Sequence, residues 1–289
     1  MTNENSNAAP IESSVLSVIN ELLPLFRKFV TGKYAIALGG SLAKGKGDKH
    51  SDIDIYLFAH GVVSLEERIK LVKDFAGDQS NFFVDFDFQT SWWGTVADFD
   101  FKNYRIESTI RSVERVEKVI SDCRAGVIEN IRTSWNPYGF YNYVYLSDIE
   151  SAYSLEDSSH ILSAWKSQVA SYPHKLKSAI VARSLEGTKF WLDNFHYLSA
   201  IQRDDFLYTS GIVQGSLHHL IQILFAINDK YYVGDKKNLE AVQEMKLKPE
   251  DFKERVKVLL ATTSKVDVLE KQREVLKALV SDVEKLVAL

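Results

Sequence analysis

Cysteine is almost missing from this sequence. Cys123 stands alone among 289 residues, which excludes a disulfide within the chain and leaves no Cys/His constellation for zinc. An excess of basic charge is missing too. Lys and Arg number 35 against 39 Asp and Glu, a net charge of −4, so no global basic field exists to draw in a long nucleic acid, and that partner class is disfavoured. No apolar run reaches membrane-spanning character, so no membrane partner is expected. Residues Met1 to Pro10 have neither a basic start nor an apolar core; they are expected to be a disordered lead-in rather than a signal peptide, and the expected location is cytoplasmic. There is no G-x-G-x-x-G, so a dinucleotide-binding fingerprint has no support.

What is present is distributed unevenly. Eight of the 14 glycines fall within the first 94 residues, and the rest of the chain reads as long apolar-periodic segments, so an α/β front and a helical back are expected. Ile11, Val15, Ile19, Leu22, Phe26 and Val30 recur at helical spacing. A short buried-type strand follows at Tyr34–Leu38, then a strand at Asp52–Phe58 and a helix over Leu65–Phe75. Period-two alternation predicts strands over Phe82–Phe88 and Tyr104–Ile110, with a shorter one around Val96–Phe101. Val113 to Ile120 opens the helical half, and strand signals stop near residue 125. Leu176–Leu185, Phe206–Asn228 and Val266–Val287 carry helical stripes, the last with Leu269, Leu276, Leu279, Val283 and Leu286 on one face. That stripe is expected to pack within a bundle, with self-association into a homodimer as the lesser reading.

The segment that carries chemistry is Leu38 to Ile55: a strand, the Gly39-Gly40-Ser41 turn, a basic polar loop, and a strand opening with Asp52 and Asp54. Residues two apart on a strand project to the same side, so Asp52 and Asp54 put two carboxylates on one face while Ile53 and Ile55 enter the core. Such a pair repels itself unless a cation sits between the oxygens. Magnesium suits it, because that ion takes one or two carboxylates together with substrate phosphates rather than a full protein cage. The glycines and the serine let backbone N–H groups and a hydroxyl approach phosphate oxygens closely. Gly40 to Lys46 also satisfies G-x-x-x-x-G-K, but Gly47 stands where a P-loop needs Ser or Thr, and a strand rather than a helix follows.

With Gly40-Ser41 followed by ten residues and then Asp52-Ile53-Asp54-Ile55, the sequence resembles the polymerase beta-like nucleotidyltransferases. It is most similar to bacterial adenylyltransferases that modify aminoglycosides and lincosamides, and to their uncharacterised relatives. The resemblance implies an α+β catalytic domain with a mixed sheet at residues 11–124, followed by an all-α helical-bundle domain at residues 125–289. It further implies magnesium held by Asp52 and Asp54, with ATP or another nucleoside triphosphate as donor and Gly40 and Ser41 at its phosphates. Arg105 to Ile110 is similar to the strand that carries the third carboxylate in streptomycin-type relatives, which favours Glu107 as general base; Asp85 and Asp87 also lie in period-two strands, and Asp87 is the runner-up. Phe225 to Lys237 is similar to the helix end and loop where that group offers a lysine to the triphosphate, here Lys236, with Lys237 as confounder.

Each assignment has an ordinary alternative. Asp-x-Asp alone is a common solvated strand start, and Lys44, Lys46 and Lys49 suit a solvated loop as well as an anion site. His218 and His219 are adjacent on a helix and face different directions, so core or surface positions suit them better than a metal. Asp204 and Asp205 open a helix, where a carboxylate caps free N–H groups. The function expected is transfer of a nucleoside monophosphate, AMP by default, to a hydroxyl of a small acceptor. The alternatives are a catalytically silent nucleotide-binding or regulatory module, and a transferase acting on a protein or an RNA end.

Overall fold

The computed structural model describes residues 11–48, 51–78 and 81–289. The expected disordered lead-in at 1–10 and Lys49 lie outside the described residues. The chain forms two compact units, one built from residues up to Ile120 together with Tyr145–Ser171, the other from Ser121–Val144 together with Tyr172–Leu289. The sequence predicts a single break after residue 124; the chain instead enters the second unit, returns to the first over Tyr145–Ser171, and leaves again.

In the first unit, helix α1 (Ser13–Phe29) buries Val15, Ile19, Leu22 and Phe26 and runs directly into strand β1 (Val30–Leu38). The helical turn α2 (Gly40–Ala43) and strand β2 (Ile53–Val62) follow. Helix α3 (Leu65–Ala76) starts where the Ser64 hydroxyl accepts from the Glu67 N–H, the first half of a Ser-x-x-Glu cap, and stops at Gly77 with φ +90°. Strands β3 (Phe83–Asp85), β4 (Thr95–Phe101) and β5 (Tyr104–Ser112) precede helix α4 (Val113–Ala125). After the short strands β6 (Asn130–Ile131) and β7 (Phe140–Tyr141), the chain forms helix α5 (Val144–Ser151), strand β8 (Tyr153–Glu156) and helix α6 (Ile161–Val169).

Six strands make one mixed sheet in the order β3-β4-β5-β2-β1-β8. Among the described residues only the β2–β5 pair is parallel, and its register sets Ile53 against Ile106, Asp54 against Glu107 and Ile55 against Ser108. Ile53, Ile55 and Leu57 are fully buried on one face with Ile106 and Ile110, in one core with α1 and with Val72 of α3. The alternate residues of β2 and β5 face the other way, as a period of two requires.

Two strand expectations change. Phe82–Phe88 shrinks to β3 because Phe86 adopts φ +67° and the Asp87 carboxylate folds into a turn, accepting from the N–H groups of Gln89 and Thr90 and from the Thr90 hydroxyl. Strands also continue past residue 125. The four-residue β8 joins the sheet beside β1, where Glu156 accepts from the Arg27 guanidinium. Four residues at a sheet edge are too few to show a period.

The second unit carries helices α7 (His174–Leu192), α8 (Phe195–Gln202), α9 (Phe206–Ile227), α10 (Asn238–Gln243), α11 (Phe252–Leu259) and α12 (Val266–Val287), along with the β6–β7 ribbon. The α12 stripe packs as expected: Leu269, Leu276, Leu279 and Val283 are buried, and α9, α11 and α7 are its neighbours. By length and composition α9 could cross a membrane, but 61% of its most apolar 18-residue window is buried inside the fold, as in the core helix of a packed unit.

Candidate active site

The carboxylates of the Asp-x-Asp pair sit where β2 begins. Asp52 immediately precedes the strand and is exposed, whereas Asp54, its second residue, is partly buried. On the neighbouring strand Glu107 occupies the same rung as Asp54, and paired residues on parallel strands share a face. Sequence spacing alone could not reveal that juxtaposition. Its electrostatic consequence falls on Asp54, whose pKa rises from 3.8 to about 7, first because burial disfavours the charged form, then because Glu107, Asp52 and Asp148 repel it, with Lys44 opposing.

Among the competing carboxylates the arrangement discriminates. Asp85 lies on β3, three strands from β2, and the Asp87 carboxylate is occupied by its turn, which holds its pKa low. Neither joins Asp54. Asp98, on β4, is a residue that the sequence did not single out and that belongs to this face: burial raises its pKa to about 6, an N–H bond from Ser108 (3.0 Å) opposes the rise, and the Glu107 charge adds to it. The signal available was its place inside the period-two run from Val96 to Phe101.

The glycine turn closes over these groups. Gly39 N–H donates to the Asp54 carbonyl at 2.8 Å, and Gly40 adopts φ +61°. A Cβ on Gly40 would overlap the Asp54 carboxylate, and one on Gly39 would overlap the Tyr56 ring, so both positions require glycine for close approach. The Ser41 hydroxyl meets the Ser51 hydroxyl at 3.1 Å, joining the two ends of the basic loop. Among the described residues no three His, Cys, Asp or Glu side chains converge as a metal cage. Two ionisable carboxylates on one edge of the site, with a third acid beside them, are a donor set that fits magnesium arriving with phosphate oxygens.

Beneath Tyr56 lies a buried cation. Arg111 of β5 is 1% exposed and pairs with Asp148 of α5 at 2.8 Å. Burial alone would lower its pKa, but the Asp148 charge and the Tyr145 and Tyr56 oxygens keep it raised. Its guanidinium lies 4.1 Å from the Tyr145 ring centroid and 5.5 Å from that of Tyr56.

In the helical unit Lys236 occupies an exposed turn after α9. The preceding Asp235 is fixed by the Tyr232 hydroxyl (2.5 Å) and the Tyr138 N–H (3.3 Å). His218 is a core residue: it is stacked on Tyr138, shares a 3.0 Å hydrogen bond with the Tyr141 hydroxyl, and is kept neutral by burial, its pKa near 3. Asp205 caps α9 by accepting from the Tyr208 N–H. It also lines a cavity of about 550 Å³ with Trp191, Leu207, Tyr208, Gly211 and His219.

Comparison with known proteins adds the following. A family model described as a nucleotidyltransferase domain matches residues 19–107, and one described as a domain of unknown function (DUF4037) matches residues 142–237. No curated protein matches the chain. Among solved structures, a nucleotidyltransferase-like protein from Exiguobacterium sibiricum is similar, with 10% identity, a TM-score of 0.43, and 95% of this chain and 77% of that one covered.

Proposed function

We propose that this chain is a polymerase beta-like nucleotidyltransferase, a reading supported by the match of residues 19–107 to a nucleotidyltransferase domain model, and that it moves AMP from ATP onto a hydroxyl of a small acceptor, with Asp52 and Asp54 as a magnesium site. The observation that carries the reading is the shared rung of Asp54 and Glu107 beside Asp52, where burial first and the crowd of acids second raise the Asp54 pKa to about 7. Groups so crowded relax on gaining a cation or a proton, and perturbed acids of this kind cluster at functional sites. Magnesium bound there with the triphosphate would neutralise phosphate charge as it builds at the α-phosphorus.

The chain's own residues do the remainder. Asp52 and Asp54 would hold the magnesium through which the triphosphate is oriented, and the Gly40 backbone with the Ser41 hydroxyl binds phosphate oxygens. Glu107, exposed beside Asp54, takes the proton of the acceptor hydroxyl. The acceptor oxygen then bonds to the α-phosphorus while the bond to the β-phosphate bridging oxygen breaks, and pyrophosphate leaves. Catalysis of this kind is mostly positioning and charge stabilisation. A small acceptor rather than RNA is favoured by the net charge of −4. The 550 Å³ cavity of the helical unit, apolar with a carboxylate at its wall, is of a size that holds small molecules.

The test is calorimetric titration of ATP, GTP, CTP and UTP, each with magnesium, into wild type and the Asp52→Asn/Asp54→Asn variant. Magnesium-dependent binding of ATP that the variant loses is the expected result. Binding of another base would correct the donor, and no binding of any triphosphate by folded wild type would overturn the reading.

A further inference from the structure

The Gly39-Gly40 turn has no side chains with which to anchor itself, so what lies beneath it decides how far it stands from Asp54. Beneath it is Tyr56. A methyl group at position 39 would overlap three atoms of the Tyr56 ring. Tyr56 follows Asp54 by two residues and so shares its face of β2.

The ring is itself supported. Arg111 lies 5.5 Å from its centroid, and the Tyr56 hydroxyl is 3.4 Å from Asp148 Oδ1, the carboxylate whose other oxygen accepts from Arg111 Nη1. Arg111 is held in turn by the Trp93 carbonyl (3.3 Å) and the faces of Trp93 and Tyr145, and the Tyr145 hydroxyl donates to the Trp92 carbonyl at 2.5 Å. A buried ion pair of this kind adds little to stability compared with apolar packing of the same volume. Arg111 Nη2 is moreover buried with no hydrogen-bond acceptor, a cost that a purely structural plug would shed.

We propose that Tyr56, fixed by Arg111 and Asp148, is a positioning residue that sets the height of the Gly39-Gly40 turn over Asp54 and hence the fit of the triphosphate. The inference rests on the nucleotidyl-transfer reading. It says that the turn rests on the ring, whose carbons a Gly39 Cβ would overlap, and on the hydroxyl, which accepts from the Gly40 N–H.

The experiment is a double-mutant cycle on Gly39→Ala and Tyr56→Leu, with Tyr56→Phe beside it. It reads the dissociation constant of magnesium–ATP, or of whichever of the four triphosphates wild type binds, together with Tm. Expected are a rise of about tenfold for Gly39→Ala and for Tyr56→Leu, a smaller rise for Tyr56→Phe, which keeps the ring and loses the bond from the Gly40 N–H, and loss of most of the Gly39→Ala penalty once the ring is gone, which is the signature of direct coupling. A structural role alone would lower Tm without that coupling in binding. Equal Gly39→Ala penalties in both backgrounds overturn the proposal while leaving the transfer reading intact. If Gly39→Ala does not fold, Tyr56→Leu binding as tightly as Tyr56→Phe overturns it instead. A folded wild type that binds no triphosphate overturns both.

Discussion

Replacing Asp54 by Asn should stabilise the metal-free protein while abolishing its activity. The carboxyl is held near pKa 7 in the folded chain against 3.8 when unfolded, so between those values the folded state binds a proton that the unfolded state releases. Stability from this group is therefore full below about pH 4, falls as pH rises toward 7, and is flat above. A rise of that size corresponds to about 4 kcal/mol as an upper bound at pH 8. Since Asp54 is partly open to water, screening reduces this to about 1–2 kcal/mol. The carboxamide has the same shape and no charge, so Asp54→Asn should exceed wild type by about 1–2 kcal/mol at pH 8 and come close to it near about pH 4.5. Urea unfolding in EDTA at both pH values measures the difference, and taking variant minus wild type cancels the other titrating groups. Excess magnesium should narrow the gap at pH 8 by binding wild type alone. A variant less stable than wild type at pH 8, or a difference that does not change with pH, would refute the account of a carboxyl destabilised by burial and by its acidic neighbours.

Three further outcomes follow from the same geometry. Gly40→Ala forces a side chain into the Asp54 carboxylate at a φ of +61°; it should cost about 1–3 kcal/mol in chemical denaturation and lose triphosphate binding in calorimetry. Arg111→Ala strands Asp148 and empties a fully enclosed site, and should lower stability by about 3–5 kcal/mol, whereas Arg111→Met/Asp148→Leu should recover most of that loss in the same denaturation assay. Lys236→Ala removes an exposed side chain, so Tm should hold within about a degree; a triphosphate dissociation constant raised about tenfold would support its assignment to the phosphates, and an unchanged one would remove it.

The legible part of the site was the part written in local spacing. Gly40, Ser41, Asp52 and Asp54 lie within one strand–turn–strand, and a period of two is enough to put both carboxylates on one face. What spacing could not supply was register between strands. Asp85, Asp87 and Glu107 all sit in alternating runs, and only the parallel pairing of β5 with β2 separates Glu107 from the others; Asp98 is illegible for the same reason, since its neighbour Ser108 lies on another strand. Phe86 reads as a strand residue because nothing local announces its left-handed backbone. The domain break near residue 125 misses for a deeper reason. Arg111 points its charge to the same face as the acidic cluster and needs a buried counter-charge, and that counter-charge, Asp148, arrives from α5, 37 residues on. With Asp148 and Tyr145 covering Arg111, Trp165 edge-on against Phe58 at 5.3 Å, and β8 completing the edge beside β1, residues 145–171 fold with the sheet, so contacts between distant segments, rather than the end of the strand pattern, decide which segments make up the first unit.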